Sequence, residues 1–282
     1  METLQTYLNG VRRLLHDASG RYWSDADLTI DINAARRRAV ADSTCLKDLQ
    51  SVYLSQGLES YVYGGVTGGL VTAPGANYDG TSTITFSAPP AGGTTAAGTL
   101  QITGGAVTGL LVTDTGSGYT SAPTITFAGA GAGAAITPTI LNPSTLDVMN
   151  LTVVWGQTRV ILNRMPFTQF QASVRAWLNY QQRPAICASY GQDKWMIGPI
   201  PDQGYLSEWD TVLTPPDLVA LTDTCVIKSP YNDPVQYYAA HLAKINEQAY
   251  DEGEKFLALY QQKMRYAIRS AMMRMLPSAY GS

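Results

Sequence analysis

Residues 64–87 align without gaps on residues 105–128. Matched identities include Val66/Val107, Thr67/Thr108, Leu70/Leu111, Val71/Val112, Thr72/Thr113, Gly75/Gly116 and Tyr78/Tyr119. The tetrapeptide Thr83-Ile84-Thr85-Phe86 recurs whole as Thr124-Ile125-Thr126-Phe127. From Gly64 to Leu141 there is no Lys, Arg, Glu or His, and Gly, Thr, Ala and Ser dominate. Such a composition by itself reads as a flexible linker, but a repeated pattern of alternating apolar positions argues for structure. Each copy reads as a strand, a Gly/Tyr turn and an alternating strand. Gly/Ala-rich sequence and a further strand follow, at 99–102 in one copy and 136–140 in the other. The expectation is a small pseudo-symmetric β domain over 64–141. Its uncharged threonine faces suit contact with water or sugars, so it reads either as a structural spacer or as a receptor, glycan or fibre attachment module.

The flanks have ordinary composition. A first helix is expected over 3–16, with Leu4, Leu8, Val11 and Leu15 on one face. A second begins after Ser24 as N-cap, with Asp27 completing a capping box and Trp23 and Leu28 placed for a hydrophobic staple. It carries Ile32, Ala35 and Ala39, and also Arg36, Arg37 and Arg38, which as neighbours point in three directions. They read as solvated or ion-paired, or as candidate contacts with a partner subunit or a DNA channel. A third helix or mixed segment is expected over 42–55. Beyond Asn142 come strands at 151–155 and 159–162, a short helix capped by Thr168 with Phe170, Val174, Trp177 and Leu178, and strands at 185–190, 194–197 and 204–213.

The C-terminal stretch reads as one long amphipathic helix, 233–276, capped by Asp233 with Pro234 in its first turn. Its stripe runs Val235, Tyr238, Leu242, Ile245, Ala249, Phe256, Tyr260, Met264, Ala267, Ala271 and Met275, with Gly253 as the expected kink. A helix of that length outruns an ordinary core, so it reads either as a core helix of a bundle whose far end frays or as a helix whose distal half packs on another chain. The residues assigned to that interface are Tyr260, Met264, Arg265, Ile268, Met272, Met275 and Leu276. The fold class expected is therefore α+β: a helical bundle with a long C-terminal helix and a small antiparallel sheet (1–63 and 142–282), interrupted by an all-β insertion of two repeats (64–141).

The chain has 282 residues, a formal net charge of -3 and only 15% charged residues, which disfavours a general nucleic-acid binder and suits a surface largely hidden in an assembly. Its 17 tyrosines fit interfaces. Cys45, Cys187 and Cys225 lie far apart, odd in number and without a C-x-x-C, so neither zinc nor a disulfide framework is expected. The Gly129-Ala-Gly-Ala-Gly-Ala run lacks the G-x-G-x-x-G spacing and precedes no helix, and no P-loop occurs. The two histidines, His16 and His241, fall in expected helices without a nucleophile motif. No catalytic, metal or cofactor site is expected. No signal peptide or membrane-spanning run is read from the sequence either, which places synthesis in a cytoplasm.

The order of parts resembles a known family. It runs Trp23-Ser-Asp-Ala-Asp-Leu with Ile32-Asn33-Ala34-Ala35, then Arg183-Pro184-Ala-Ile-Cys-Ala-Ser-Tyr190-Gly191. Gly198-Pro-Ile-Pro-Asp202-Gln-Gly204-Tyr205 follows, leading to Thr214-Pro-Pro-Asp-Leu218, and Tyr231-Asn-Asp233-Pro-Val-Gln-Tyr-Tyr-Ala-Ala240 opens the terminal helix. This resembles the head-to-tail adaptor, or connector, proteins of tailed bacteriophages, especially short-tailed ones, over about 1–60 and 145–276. The segment 116–127, Gly-Ser-Gly-Tyr-Thr-Ser-Ala-Pro-Thr-Ile-Thr-Phe, resembles small β modules of phage structural proteins. The resemblance implies a virion neck protein without catalytic activity: a homo-oligomeric ring, usually of twelve copies, docked under the portal protein. Tail hub, nozzle or fibre proteins would bind to it, and double-stranded DNA would pass its channel without sequence-specific contact. The alternative is a tail-associated receptor- or carbohydrate-binding protein acting through 64–141.

Overall fold

The computed structural model describes residues 2–175 and 179–271. Helices α1 (Leu4–Leu14) and α2 (Asp25–Ser43) open the chain, followed by strands β1 (Lys47–Leu54) and β2 (Ser60–Val62). The repeat region holds β3 (Val66–Ala76), β4 (Thr83–Phe86), β5 (Ala97–Thr103), β6 (Ala106–Asp114), β7 (Ile125–Ala128) and β8 (Ala132–Ile140). Then come β9 (Thr145–Trp155), β10 (Thr158–Ile161), β11 (Asn163–Arg164), the short α3 (Phe167–Ser173), β12 (Ile186–Tyr190), β13 (Lys194–Gly198) and β14 (Tyr205–Leu213). Helices α4 (Val235–Asn246) and α5 (Tyr250–Ala271) close the described chain. It divides into two compact units, Met1–Lys47 with Leu213–Ser282, and Asp48–Val212.

The expected fold class needs correcting. The protein is mostly β, with 37% of the described residues in strands and 26% in five helices, and among the described residues it has neither a helical bundle as its main body nor one long C-terminal helix. Two local features account for this. The segment expected as a third helix or mixed piece is strand β1. Its Val52 and Leu54 are buried while Lys47, Leu49 and Ser51 face out, a period of two that a helix cannot satisfy. The expected terminal helix is a helical hairpin. It breaks between Asn246 and Tyr250, where Gln248 adopts a left-handed φ of 66°. There the Ala249 N–H reaches back to the Lys244 carbonyl at 3.0 Å and the Gln248 N–H to that of Ile245 at 2.9 Å, the hydrogen-bonding of a left-handed helix stop. Gly253 does not kink a helix. It lies in the first turns of α5 against α4, where an added Cβ would sit 3.1 Å from Ile245 Cδ1.

In the helical unit, Thr3 caps α1 and Ser24 caps α2. Ser24 Oγ accepts from the Asp27 N–H at 3.1 Å and donates to Asp27 Oδ2 at 2.6 Å. Asp17 binds the loop between these helices. Its carboxylate accepts from the backbone N–H of Arg21, Tyr22 and Trp23 and from Arg12 Nη1 at 3.2 Å. Burial pushes that carboxyl up, but the three N–H donors and Arg12 outweigh it and hold it below its ordinary value. Pro234, not Asp233, stands at the N-cap of α4, without a side-chain cap.

The β unit contains two four-stranded sheets, ordered β1-β14-β9-β10 and β11-β12-β13-β2, and three two-stranded ladders, β3-β8, β4-β7 and β5-β6. A core of Trp209, Trp195, Tyr61, Leu54, Leu141 and Leu151, with neighbouring aliphatics, lies within the part formed by the four-stranded sheets. A second core, with Tyr119, Tyr78, Val107 and Phe86, fills the repeat region. There each copy supplies three strands, and every ladder joins one copy to the other. The middle strands β4 and β7 pair antiparallel with Thr85 opposite Thr126, the same position of the two copies, so a pseudo-two-fold axis passes through that pair. The first strand of each copy pairs with the third strand of the other. The tyrosines repeat the exchange. Tyr78 Oη accepts from the Ala134 N–H at 3.1 Å and Tyr119 Oη from the Ala96 N–H at 3.0 Å. Gly75 and Gly116, at φ 63° and 61°, hold equivalent positions of the two copies, where a Cβ would strike backbone atoms of the other copy's third-strand segment.

Candidate functional site

The residues expected at interfaces lie in the helical unit, on α2 and α5. Each of the three arginines of α2 has a different environment. Arg36 is completely buried. Its Nη1 donates to Asn33 Oδ1 at 3.0 Å and to the Pro216 carbonyl at 2.7 Å, and its Nε lies 3.4 Å from Cys225 Sγ. Asn33 completes the clasp, donating to the Leu218 carbonyl and accepting from the Leu218 N–H, both at 2.9 Å. Arg36 thus fastens the segment after β14 to α2 and presents no surface to DNA or to a neighbour. Arg37 pairs with Asp217 at 3.1 Å and Arg38 with Asp42 at 3.0 Å, both toward solvent. Exposed pairs of this kind contribute about 0–1 kcal/mol each, so these two side chains are free to exchange partners.

On α5, Tyr260 and Met264 are buried. Tyr260 Oη donates to Asp42 Oδ2 at 2.7 Å, the carboxylate oxygen that also accepts from Arg38 Nε. Two residues read from separate stretches, Arg38 and Tyr260, therefore meet on one acid. The Tyr260 ring lies 4.9 Å from that of Tyr238 on α4. Burial first, then the hydrogen bond to Asp42, raises the Tyr260 phenol well above its ordinary value, so it stays a donor. Arg265 is exposed and Ile268 half-buried. Met272, Met275 and Leu276 lie outside the described residues, as do Trp177 and Leu178 of the expected short helix.

The sequence reading missed the outward apolar side chains of this unit. Leu259 and Tyr266 of α5 are exposed, Tyr266 by 73%, and they stand seven residues apart, on one face two turns from each other. That spacing is readable in the sequence, on a face roughly 100° around the helix from the buried stripe through Tyr260 and Met264. Tyr22, Ile30 of α2 and Val219 are likewise exposed, Val219 by 82%. Lys263 lies over the Tyr237 ring at 5.1 Å, so part of the basic character of α5 is held against α4.

The two histidines and the ion-paired Glu208 have structural places. His241 Nδ1 lies 2.8 Å from the Gly253 carbonyl and ties α4 to α5. His16 is exposed in a left-handed turn after α1. Glu208 on β14 takes a two-pronged contact from Arg159, at 2.7 and 2.9 Å, which holds its carboxyl below the ordinary value. Among the described residues no group of three or more His, Cys, Asp and Glu gathers as a metal site, and no helix is long and apolar enough to cross a membrane. Comparison of the chain with protein-family models and with curated proteins returns no match.

Proposed function

We propose that the protein is a virion structural subunit, one copy of an adaptor ring between the portal and the tail of a tailed bacteriophage, giving the DNA a channel and the tail components a docking platform. The observation that carries this reading is the outward apolar set of the helical unit. Tyr22, Ile30, Val219, Leu259 and Tyr266 stand in solvent on a chain with only 15% charged residues. Singly exposed apolar residues are ordinary, but a charge-poor chain with this many has surface that association would bury. Helix α5 adds reach. Its 22 residues span about 33 Å against about 18 Å for the 12 of α4, so one end of the hairpin extends past its partner. A ring uses heterologous contacts, one face against a different face of the next copy, which an uneven hairpin supplies. A net charge of -3 suits a channel that DNA must traverse without adhering.

Light scattering on the purified chain, alone and with the portal protein of the same phage, tests the proposal. A closed ring, or a monomer that assembles only on portal, is expected. Tyr266→Lys and Leu259→Lys should weaken assembly at least tenfold while leaving the circular dichroism spectrum unchanged. A monomer indifferent to portal would end this reading.

A further inference from the structure

A cavity of about 370 Å³ opens in the β unit where the repeat region meets the strands that flank it. Strands β3 and β6, equivalent in the two repeat copies, form one side through Gly69, Leu70, Thr108 and Leu110. The end of β1 and the turn before β14 form the other, through Tyr53, Gln56 and Gln203. The flanking strands thus break the pseudo-symmetry of the repeats and give an otherwise two-fold surface a single orientation.

Three features give this cavity the character of a binding site. Its floor is fixed. Ser55 Oγ accepts from the Val112 N–H at 2.8 Å and donates to the Leu110 carbonyl at 3.1 Å, the Ser55 N–H bonds the Thr67 carbonyl at 2.9 Å, and the Tyr53 N–H bonds Thr139 Oγ1 at 2.9 Å. The polar side chains of the residues that line it are amides and hydroxyls, on Gln56, Gln101, Gln203, Thr108 and Tyr53, with no Asp, Glu, Lys, Arg or His among the described residues that line it. Gln101 Nε2 donates to Gln56 Oε1. This pairing leaves one N–H and the carbonyl of Gln101, and the amide N–H groups of Gln56, as adjacent donors and acceptors. Gly109 leaves the room that the Gln101 side chain occupies.

We infer that this cavity binds a neutral saccharide. An anion would find no cation here and a cation no carboxylate, and burying either unpaired is costly. A hydroxyl both donates and accepts, so a pair of neighbouring sugar hydroxyls matches a pair of carboxamides, each offering both functions. Leu70, 43% exposed, supplies an apolar contact that a sugar's C–H face covers, and the volume falls in the range of about 300–1,000 Å³ usual for small-ligand sites. The inference stands on this cavity alone and not on the ring proposed above.

The test is binding of the full-length protein to an immobilised panel of neutral glycans (glucose-, galactose- and N-acetylglucosamine-terminated) beside sialylated and sulfated counterparts. Selective retention of one or more neutral glycans is expected. Gln101→Leu should reduce it at least tenfold, while Gln192→Leu, at a different surface cavity of the β unit, should leave it unchanged. Should Gln101→Leu fail to fold by circular dichroism, Thr108→Val on the exposed rim replaces it, with at least a threefold loss expected. Retention of charged glycans only, no retention above background, or neutral binding indifferent to these substitutions would overturn the inference.

Discussion

Asp31 is an acid that the fold keeps under strain. It lies on the buried side of α2, 8% exposed, one turn from Asp27 and with no cation paired to it among the described residues. Burial first, then the Asp27 charge, pushes its carboxyl from an ordinary 3.8 up to about 6. A raised folded value means that the unfolded chain gives up this proton first. The contribution of Asp31 is therefore most favourable below about pH 4, declines as pH rises toward about 6 and stays at its least favourable above that. Asp31→Asn should remove this slope and stabilise the protein at pH 7.5 by about 1–2 kcal/mol, with little change at pH 4. Urea midpoints at the two pH values measure it, and a destabilised variant at pH 7.5 would show that the carboxylate makes a favourable contact. Arg36 is the contrasting case, a buried charge whose hydrogen bonds to Asn33 and the Pro216 carbonyl make it part of the core.

At the scale of elements, the helix stop after α4 shows where sequence reading loses resolution. The apolar stripe is continuous from Val235 to Ala267, because both arms of a hairpin need an inner face of period 3.6. The stop itself falls on Gln248, where glycine is the usual residue. The nearby Gly253 carried the glycine signal but answers to a close approach between helices. Replacing Gln248 with Gly should relieve the left-handed strain and stabilise the protein by about 0.5–1 kcal/mol, raising the thermal midpoint by about 1–4 °C. An unchanged or lowered midpoint would mean that the Gln248 side chain holds the turn. Other elements were legible because their signal is local. The Ser24 cap with Asp27, the alternation in Thr83–Phe86 and the glycine of the Gly156-Gln157 turn are each written in a few adjacent residues. Which strands pair is set by contacts across the fold and was not. In the same way, β1 was misread because only burial on assembly with β14 explains its alternation. Exposure at the residues read as contacts was legible only in part: Arg37, Arg38 and Arg265 face solvent, whereas Arg36, Tyr260 and Met264 are buried, and the exposed Leu259 and Tyr266 were not read as a pair.

At the scale of the molecule, the two units differ in how the chain supplies them. The β unit is one continuous stretch, Asp48–Val212, whereas the helical unit takes residues from both ends of the chain. A fragment of residues 46–214 should fold by itself, with a single cooperative urea transition and a near-ultraviolet circular dichroism signal from Trp195 and Trp209, both buried in its core. Loss of that signal with strand content retained would show that its packing depends on the helices.

The cross-pairing of the repeats has a consequence for their history. No ladder of this region lies within one copy, so a lone copy would carry three strands and no hydrogen-bonding partner for any of them. Two identical peptides could satisfy one another in the way the copies now do, and fusion of their genes would fix that dimer in a single chain. Substitutions in one copy then act on edges supplied by the other, so the packing of each half depends on both sequences.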